Sequence, residues 1–154
     1  MLENNFAISE LQRKLANIIR IGIIKEVDYE KARVKVKIGE ILTSWLPWIT
    51  SRAGKDRNWS PPDIDEQVIV LSPLGELSLG VVLYGIYQQK YPALERGKEV
   101  SSFMFQDGTK LSYDKETHHL EFVVVDKITL RVGESEIEMT KNSIKLKATR
   151  IDLN

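Results

Sequence analysis

Polar and apolar residues alternate along most of the last third of the chain, in groups separated by the turn-forming stretches DG, DKET, GESE and TKNS. Alternation is typical of β-strands with one apolar face, because successive side chains of a strand point to opposite sides. The pattern therefore predicts a series of short strands over residues 103–154 that share one apolar face. Its predicted members are Leu111, Leu120, Phe122, Val124, Ile128, Leu130, Val132, Ile137, Met139, Ile144, Leu146, Ile151 and Leu153.

The middle of the chain carries five short apolar segments with turn residues between them: IGIIKEV, RVKVKI, ILTSWLPWI, QVIVL and LGVVLYGI. Such segments are typical of strands, and RVKVKI alternates apolar with basic residues as a half-solvated strand does. Closure into a small barrel removes the exposed edges that an open five-stranded sheet would leave. We therefore predict that residues 21–87 form a five-stranded antiparallel barrel of the OB type.

Two further segments flank the predicted barrel. Within residues 1–20, the apolar residues Ile8, Leu11, Leu15 and Ile18 recur at helical spacing and predict a helix with a single apolar stripe. This stripe must dock either on its own domain or on a partner, and the sequence leaves both open. Residues 88–102 combine Pro, Gly and mixed charge without periodicity and are predicted to be a linker.

Strands with one apolar face need a second apolar layer, and no later segment of this sequence is predicted to supply it. Cyclic association would bury the face against symmetry-related copies, and strands shared between chains would satisfy the sheet edges. Three chains make the smallest closed prism with strands as its walls. We therefore predict self-association through this face. The charged residues expected to face water are Lys127, Arg131, Glu138, Lys145 and Lys147.

Composition narrows the possible functions. The formal net charge is zero, with 22 Lys and Arg against 22 Asp and Glu, so the long-range field that attracts nucleic acid or anionic membrane is missing overall. There is no cysteine, which excludes disulfides, thiolate zinc sites and cysteine nucleophiles. The first ten residues lack a signal-peptide pattern, so we expect synthesis in the cytoplasm.

Several motifs in the first two thirds of the chain occur in a specific order: RIGIIKEVD, GEILTSWLPWITSRAG, WSPPDIDEQVIVLSPLGEL and GVVLYGI, followed by FQDGTKLSYD. In these motifs the chain resembles the baseplate assembly protein V family, the central tail spikes of contractile-tailed phages and of phage-tail-like bacteriocins. The motif residues in the barrel region are Trp45, Pro47, Trp48, Arg52, Gly54, Trp59 and Pro61.

This resemblance implies a mainly β protein with three functional parts. They are an N-terminal segment attached to the baseplate hub and tail tube, an OB-fold barrel, and a C-terminal β-helix of three intertwined chains. It also implies a homotrimer in the virion tail baseplate, made in the cytoplasm of the bacterial host, that pierces the host outer membrane when the sheath contracts.

The chain departs from the family at its end. Members with a self-contained tip often carry a His-x-His motif that binds an iron ion across three chains, whereas the histidines here are the adjacent His118 and His119. Neighbouring strand residues point to opposite faces, so one chain cannot aim both at one ion. We therefore expect no tip iron and no cofactor. Either the native chain continues beyond Asn154 or a separate tip protein caps it.

Enzymatic activity is not expected. Some related spikes carry a lysozyme between barrel and β-helix, but only the short predicted linker stands there in this chain. The carboxylates of Asp63, Asp65 and Glu66 resemble a glycosidase pair in number, yet in a Pro-rich loop they are far more often a solvated turn.

The alternative function is single-stranded nucleic-acid binding, since OB barrels stack bases on aromatic side chains beside basic residues. Trp45, Trp48 and Trp59 lie near Arg52, Lys55 and Arg57 in sequence. The zero net charge instead favours tryptophans that pack the barrel and its long loop. We therefore expect no nucleic-acid partner.

Overall fold

The computed structural model describes residues 2–95 and 97–152, with side chains described from Asn5 onward. The prediction of a mainly β protein with one N-terminal helix is confirmed over these residues. The chain divides into two compact units, Met1–Pro92 and Ala93–Asn154, here called the N-terminal unit and the C-terminal unit. Within the described part of the chain, no helix has the length and apolar character needed to cross a membrane.

The N-terminal unit contains a helix and a six-stranded sheet. Its elements are α1 (Leu2–Asn17), β1 (Ile19–Asp28), β2 (Arg33–Ile38), β3 (Ile41–Leu42), β4 (Leu46–Pro47), β5 (Gln67–Leu71) and β6 (Val81–Ile86). Two short 3₁₀ turns, Pro73–Gly75 and Leu77–Leu79, join β5 to β6. β1 begins inside the segment predicted as helix, because Ile19 already pairs with Leu71 of β5.

The sheet closes into a barrel. Its order is β3-β2-β1-β5-β6, with β4 also paired to β2. Closure comes after β4, where Trp48 forms a parallel bridge with Val82 and the Ile49 amide donates a hydrogen bond of 2.8 Å to the Val82 carbonyl. Alternate residues of the strands fill the interior, and the buried apolar core is Ile24, Val34, Val36, Ile38, Leu46, Val68, Val70 and Val82. These features agree with an OB-type barrel.

The third predicted strand of the barrel, ILTSWLPWI, is divided into β3 and β4. The interruption lies at Thr43, which is buried. Its hydroxyl oxygen accepts a hydrogen bond of 3.0 Å from the Val36 amide, and its own amide donates one of 3.0 Å to the Val36 carbonyl. Thr43 thus hydrogen-bonds both backbone groups of Val36. On either side of it the segment pairs with β2 as two short strands, β3 and β4.

Helix α1 meets the barrel through polar residues. Glu10, Lys14 and Asn17 are half-buried, and Arg13 forms an ion pair of 3.7 Å with Glu76. Gly75 has φ of +72°, and a Cβ there would lie 2.2 Å from the Lys14 carbonyl oxygen, so the close approach requires glycine. The apolar stripe, with Leu11 and Leu15 at its centre, is therefore turned to solvent.

The C-terminal unit consists of two three-stranded antiparallel sheets. The first contains β7 (Val100–Met104), β8 (Lys110–Asp114) and β9 (His119–Val123), in the order β7-β8-β9. The second contains β10 (Lys127–Val132), β11 (Ser135–Thr140) and β12 (Ser143–Lys147), in the order β10-β11-β12. A strand, β7, occupies the end of the predicted linker. Residues 148–152 form no strand, and Leu153 lies outside the described residues.

Candidate functional site: the apolar face of the C-terminal strands

The strand register of the second sheet brings its predicted interface residues together in rows. Ile128, Met139 and Ile144 lie side by side across β10, β11 and β12. Leu130, Ile137 and Leu146 form the next row. Since side chains two residues apart on a strand share a face, both rows and Val132 lie on one side of the sheet. These seven residues, together with Phe103, Leu111, Tyr113, Leu120 and Phe122 of the first sheet, are here called the C-terminal apolar face.

This face is uncovered in a single chain. Leu130 is 62% exposed and Ile144 is 69% exposed, whereas every strand residue in the barrel core is 3% exposed or less. Large exposed apolar patches on a protein surface usually mark an interaction site. The face is therefore the most prominent candidate functional surface of the C-terminal unit.

The opposite side of the second sheet is charged. The Glu138 carboxylate lies 3.1 Å from the Lys127 ammonium and 3.6 Å from that of Lys145. Arg131 pairs with Glu136 in the same way across β10 and β11. The hydrogen bond from Lys127, with its charge and that of Lys145, holds the pKa of Glu138 below its usual value. Side chains of opposite charge thus stabilise the strand pairing on this side of the sheet.

The first sheet extends the apolar face. Phe103, Leu111 and Phe122 form one row across β7, β8 and β9, and Tyr113 lies opposite Leu120 in the next. Phe103 was not among the predicted interface residues. It begins the predicted strand region, but the first three residues of β7 lie in the predicted linker, so no strand was predicted there. Its signal in the sequence is weak, since the rest of β7 contains two serines.

Two grooves connect the members of this face. In the first, Phe122 and Val124 from the β9 end line a concavity together with Ile128, Met139 and Ile144, so the apolar residues of both sheets meet there. In the second, Ile151 lines an apolar groove with Leu130, Val132, Ile137 and Leu146. Val124 and Ile151 thus lie outside strands but still border the C-terminal apolar face.

The two histidines do not face the apolar rows. His118 occupies the turn between β8 and β9, with a positive φ of 55°. His119 pairs with Asp114 in the register and lies on the side opposite Leu120. Over the residues that the structure describes, no group of His, Cys, Asp and Glu could hold a metal ion.

The motif tryptophans lie on either side of β4. Trp45 precedes this strand, and Trp48 and Trp59 follow it. Trp48 packs against the barrel core, and its ring centroid is 5.7 Å from that of Trp59 at an angle of 52°. The Lys35 ammonium lies 4.7 Å from the ring centroid of Trp45, a cation–π contact. These contacts cover only part of the rings, since Trp45 is 42% and Trp59 61% exposed.

Of the remaining motif residues, Pro47 ends β4, and the others belong to the loop that carries Trp59. Arg52 forms an ion pair of 3.0 Å with Asp56, Gly54 is exposed, and Pro47 and Pro61 are half-buried. The Asn58 side-chain oxygen accepts hydrogen bonds from the Thr50 and Ser51 hydroxyls and the Arg52 amide. Sequence reasoning missed Asn58, whose amide organises the loop.

Among Asp63, Asp65 and Glu66, which resemble a glycosidase pair in number, the carboxylates of Asp65 and Glu66 stabilise the turn before β5. The Glu66 side chain accepts a hydrogen bond of 3.0 Å from the Asp63 amide, and burial raises the pKa of Glu66. Asp65 lies 2.8 Å from the Lys90 ammonium and 2.9 Å from that of Lys25, and these hydrogen bonds lower its pKa to about 2. This geometry ties the end of the barrel to its first strand.

Together the fold and the site define a protein with an OB-type barrel and an appended strand region whose apolar face is uncovered. Residues 20–87 match the family model described as "Type VI secretion system/phage-baseplate injector OB domain". The chain is also 42% identical over 113 residues to the "Spike protein" of Escherichia phage P2. That match covers 73% of this chain and 54% of the phage protein, so it spans about half the length of the relative.

Residues 20–87 belong to the family of phage-baseplate injector OB domains, and the resemblance to baseplate spike proteins drawn from the sequence motifs is confirmed.

Proposed function

We propose that the chain is a structural, non-enzymatic component of a contractile tail baseplate, namely a homotrimeric central spike that pierces the host outer membrane on sheath contraction. The observation that carries the proposal is the uncovered C-terminal apolar face, borne by strands in a chain that resembles baseplate spike proteins. Two further copies of the chain would cover it, and the charged opposite side would face water.

This arrangement suits a mechanical task. Strands wound between three chains form a shaft in which every apolar row contacts its symmetry mates, so no chain can be peeled away alone. Axial load is then shared by the backbone hydrogen bonds of all three chains. In this proposal the shaft transmits the force of the contracting sheath to the membrane and acts by its rigidity, without a catalytic group or bound cofactor. A separate tip protein at its end is compatible with this role.

The N-terminal helix supplies the attachment in this proposal. Leu11 is 67% exposed and Leu15 is 71% exposed, because α1 contacts its own barrel through polar residues. An exposed apolar stripe on a helix fits a groove of a partner protein. We assign this partner to the baseplate hub at the end of the tail tube, which would place the chain in the virion tail baseplate.

Light scattering of the full chain at neutral pH tests the proposal. The expected mass is three times the 17.6 kDa of one chain, independent of micromolar concentration. A mass of 17.6 kDa would refute the homotrimer and with it the mechanical account.

A further inference from the structure

A second uncovered apolar surface lies on the outside of the barrel. The register of β1, β5 and β6 places three rows of outward side chains next to one another. The rows are Ile19–Leu71–Val81, Ile21–Ile69–Leu83 and Ile23–Gln67–Ile86. None of these nine residues is charged, and eight are apolar. We call this surface the barrel apolar face.

The face is exposed in the N-terminal unit. Ile19 is 62% and Ile21 is 59% exposed, although both belong to a strand whose inward residue Ile24 is fully buried. The outward side chains of the neighbouring strand β2 are Arg33, Lys35 and Lys37, all basic. The apolar side of the barrel therefore borders a side with ion pairs, where Lys35 lies 3.1 Å from Glu26 and Lys37 lies 3.9 Å from Glu40.

The absence of charge determines which partner fits this face. A surface can meet its own copy only if no like charges are brought together, because facing like charges repel. The barrel apolar face meets this condition, and its single polar residue, Gln67, carries both a donor and an acceptor for a partner glutamine.

The size of the face indicates when such a contact can form. The exposed parts of Ile19, Ile21, Ile23 and Leu83 amount to roughly 400 Å² per chain, about half of the ~800 Å² per partner in a standard stable interface. Barrels alone would therefore associate weakly. Chains already joined through their C-terminal strands are held at millimolar effective concentration, which is enough for a contact of this size.

We propose that the barrel apolar faces of the joined chains contact one another, so that the barrels form a second, dependent interface. This inference rests on the proposed homotrimer. It gives the barrel a role in assembly: the barrel contact would fix the orientation of the three barrels, and hence of the three α1 helices offered to the hub.

Cysteine cross-linking in the full chain tests the contact, since the chain has no cysteine of its own. Ile21→Cys lies at the centre of the barrel apolar face, and the matched control Lys37→Cys is an exposed outward position of β2. A short bismaleimide should link two of three Ile21→Cys chains into a dimer on a denaturing gel. Lys37→Cys should remain monomeric on the gel under the same conditions.

The outcomes separate this inference from the proposed function when each sample is also measured by light scattering. A trimer in solution with no Ile21→Cys cross-link overturns the barrel contact and leaves the spike proposal standing. Cross-linking that appears only when Leu11→Cys is added to Ile21→Cys overturns it as well, and assigns the face to helix α1 of another copy. A cross-linked dimer in a sample that scatters as two chains refutes the homotrimer and, with it, the contact among three joined chains.

Discussion

Replacement of Leu130 by aspartate tests the role of the C-terminal apolar face most directly. Leu130 lies in the middle of β10, in one row with Ile137 and Leu146, and is 62% exposed in the single chain. A single chain should tolerate aspartate there, since the position is mostly in water. An assembly that covers this position should be destabilised by the aspartate.

The magnitude follows from the exposed fraction. Complete burial of a leucine side chain stabilises by about 1.5–3 kcal/mol, so covering the exposed part of Leu130 contributes about 1–2 kcal/mol per chain. Aspartate removes this contribution and adds a desolvation penalty of several kcal/mol for each of three carboxylates. The total loss is about 10 kcal/mol per trimer, or about seven powers of ten in the association constant.

Sedimentation equilibrium of both variants and the parent chain measures this loss. Leu130→Asp should sediment as a single chain at micromolar concentration. Thr140→Asp is the matched control, because it introduces the same charge on the opposite side of the same sheet, across from Lys127. It should sediment as the parent does. A Leu130→Asp chain that still forms a trimer would refute the assignment of this face.

Three other predictions concern the N-terminal unit. Asp65→Asn should lower the thermal unfolding temperature at pH 7; because the pKa of Asp65 is lowered from 3.8 to about 2, the difference from the parent should vanish as pH falls from about 4 to 2. Gly75→Ala should destabilise the unit by about 1–3 kcal/mol in urea unfolding, from its positive φ and the clash with Lys14, while Gly54→Ala should change little. Oligonucleotide titration by fluorescence anisotropy should show no salt-sensitive binding at micromolar protein, and such binding would favour the alternative function.

Strict alternation explains why so much of the C-terminal unit was predictable. In β10 the sequence KITLRV assigns every residue to one side or the other, and the register with β11 then follows from a short turn at Gly133. β7 has no such signal. Ser101 and Ser102 are both polar, so the sequence does not show which side of this strand is apolar. The strand forms because β8 offers it a complete ladder of partners.

The N-terminal unit shows a different limit. The apolar stripe of α1 was predictable from its spacing, but its exposure to solvent was not, because Gly75 lets the polar side of the helix approach the barrel instead. The barrel apolar face was missed for a related reason. In IRIGIIKEV both sides of the strand carry isoleucine, so the sequence does not tell which isoleucines the barrel buries.

The two units therefore use their apolar residues in different ways. The barrel core is closed within one chain, so its stability does not require a second copy. The strands from β10 to β12 have no such core, and backbone hydrogen bonds with cross-strand pairs alone leave a three-stranded sheet marginal in water. If further copies cover the C-terminal apolar face as proposed, the free energy of association is also the folding free energy of these strands. Their stability then depends on chain concentration far more than that of the barrel, whose core is complete in one chain, which is why a single aspartate at Leu130 should disrupt the strands and spare the barrel core.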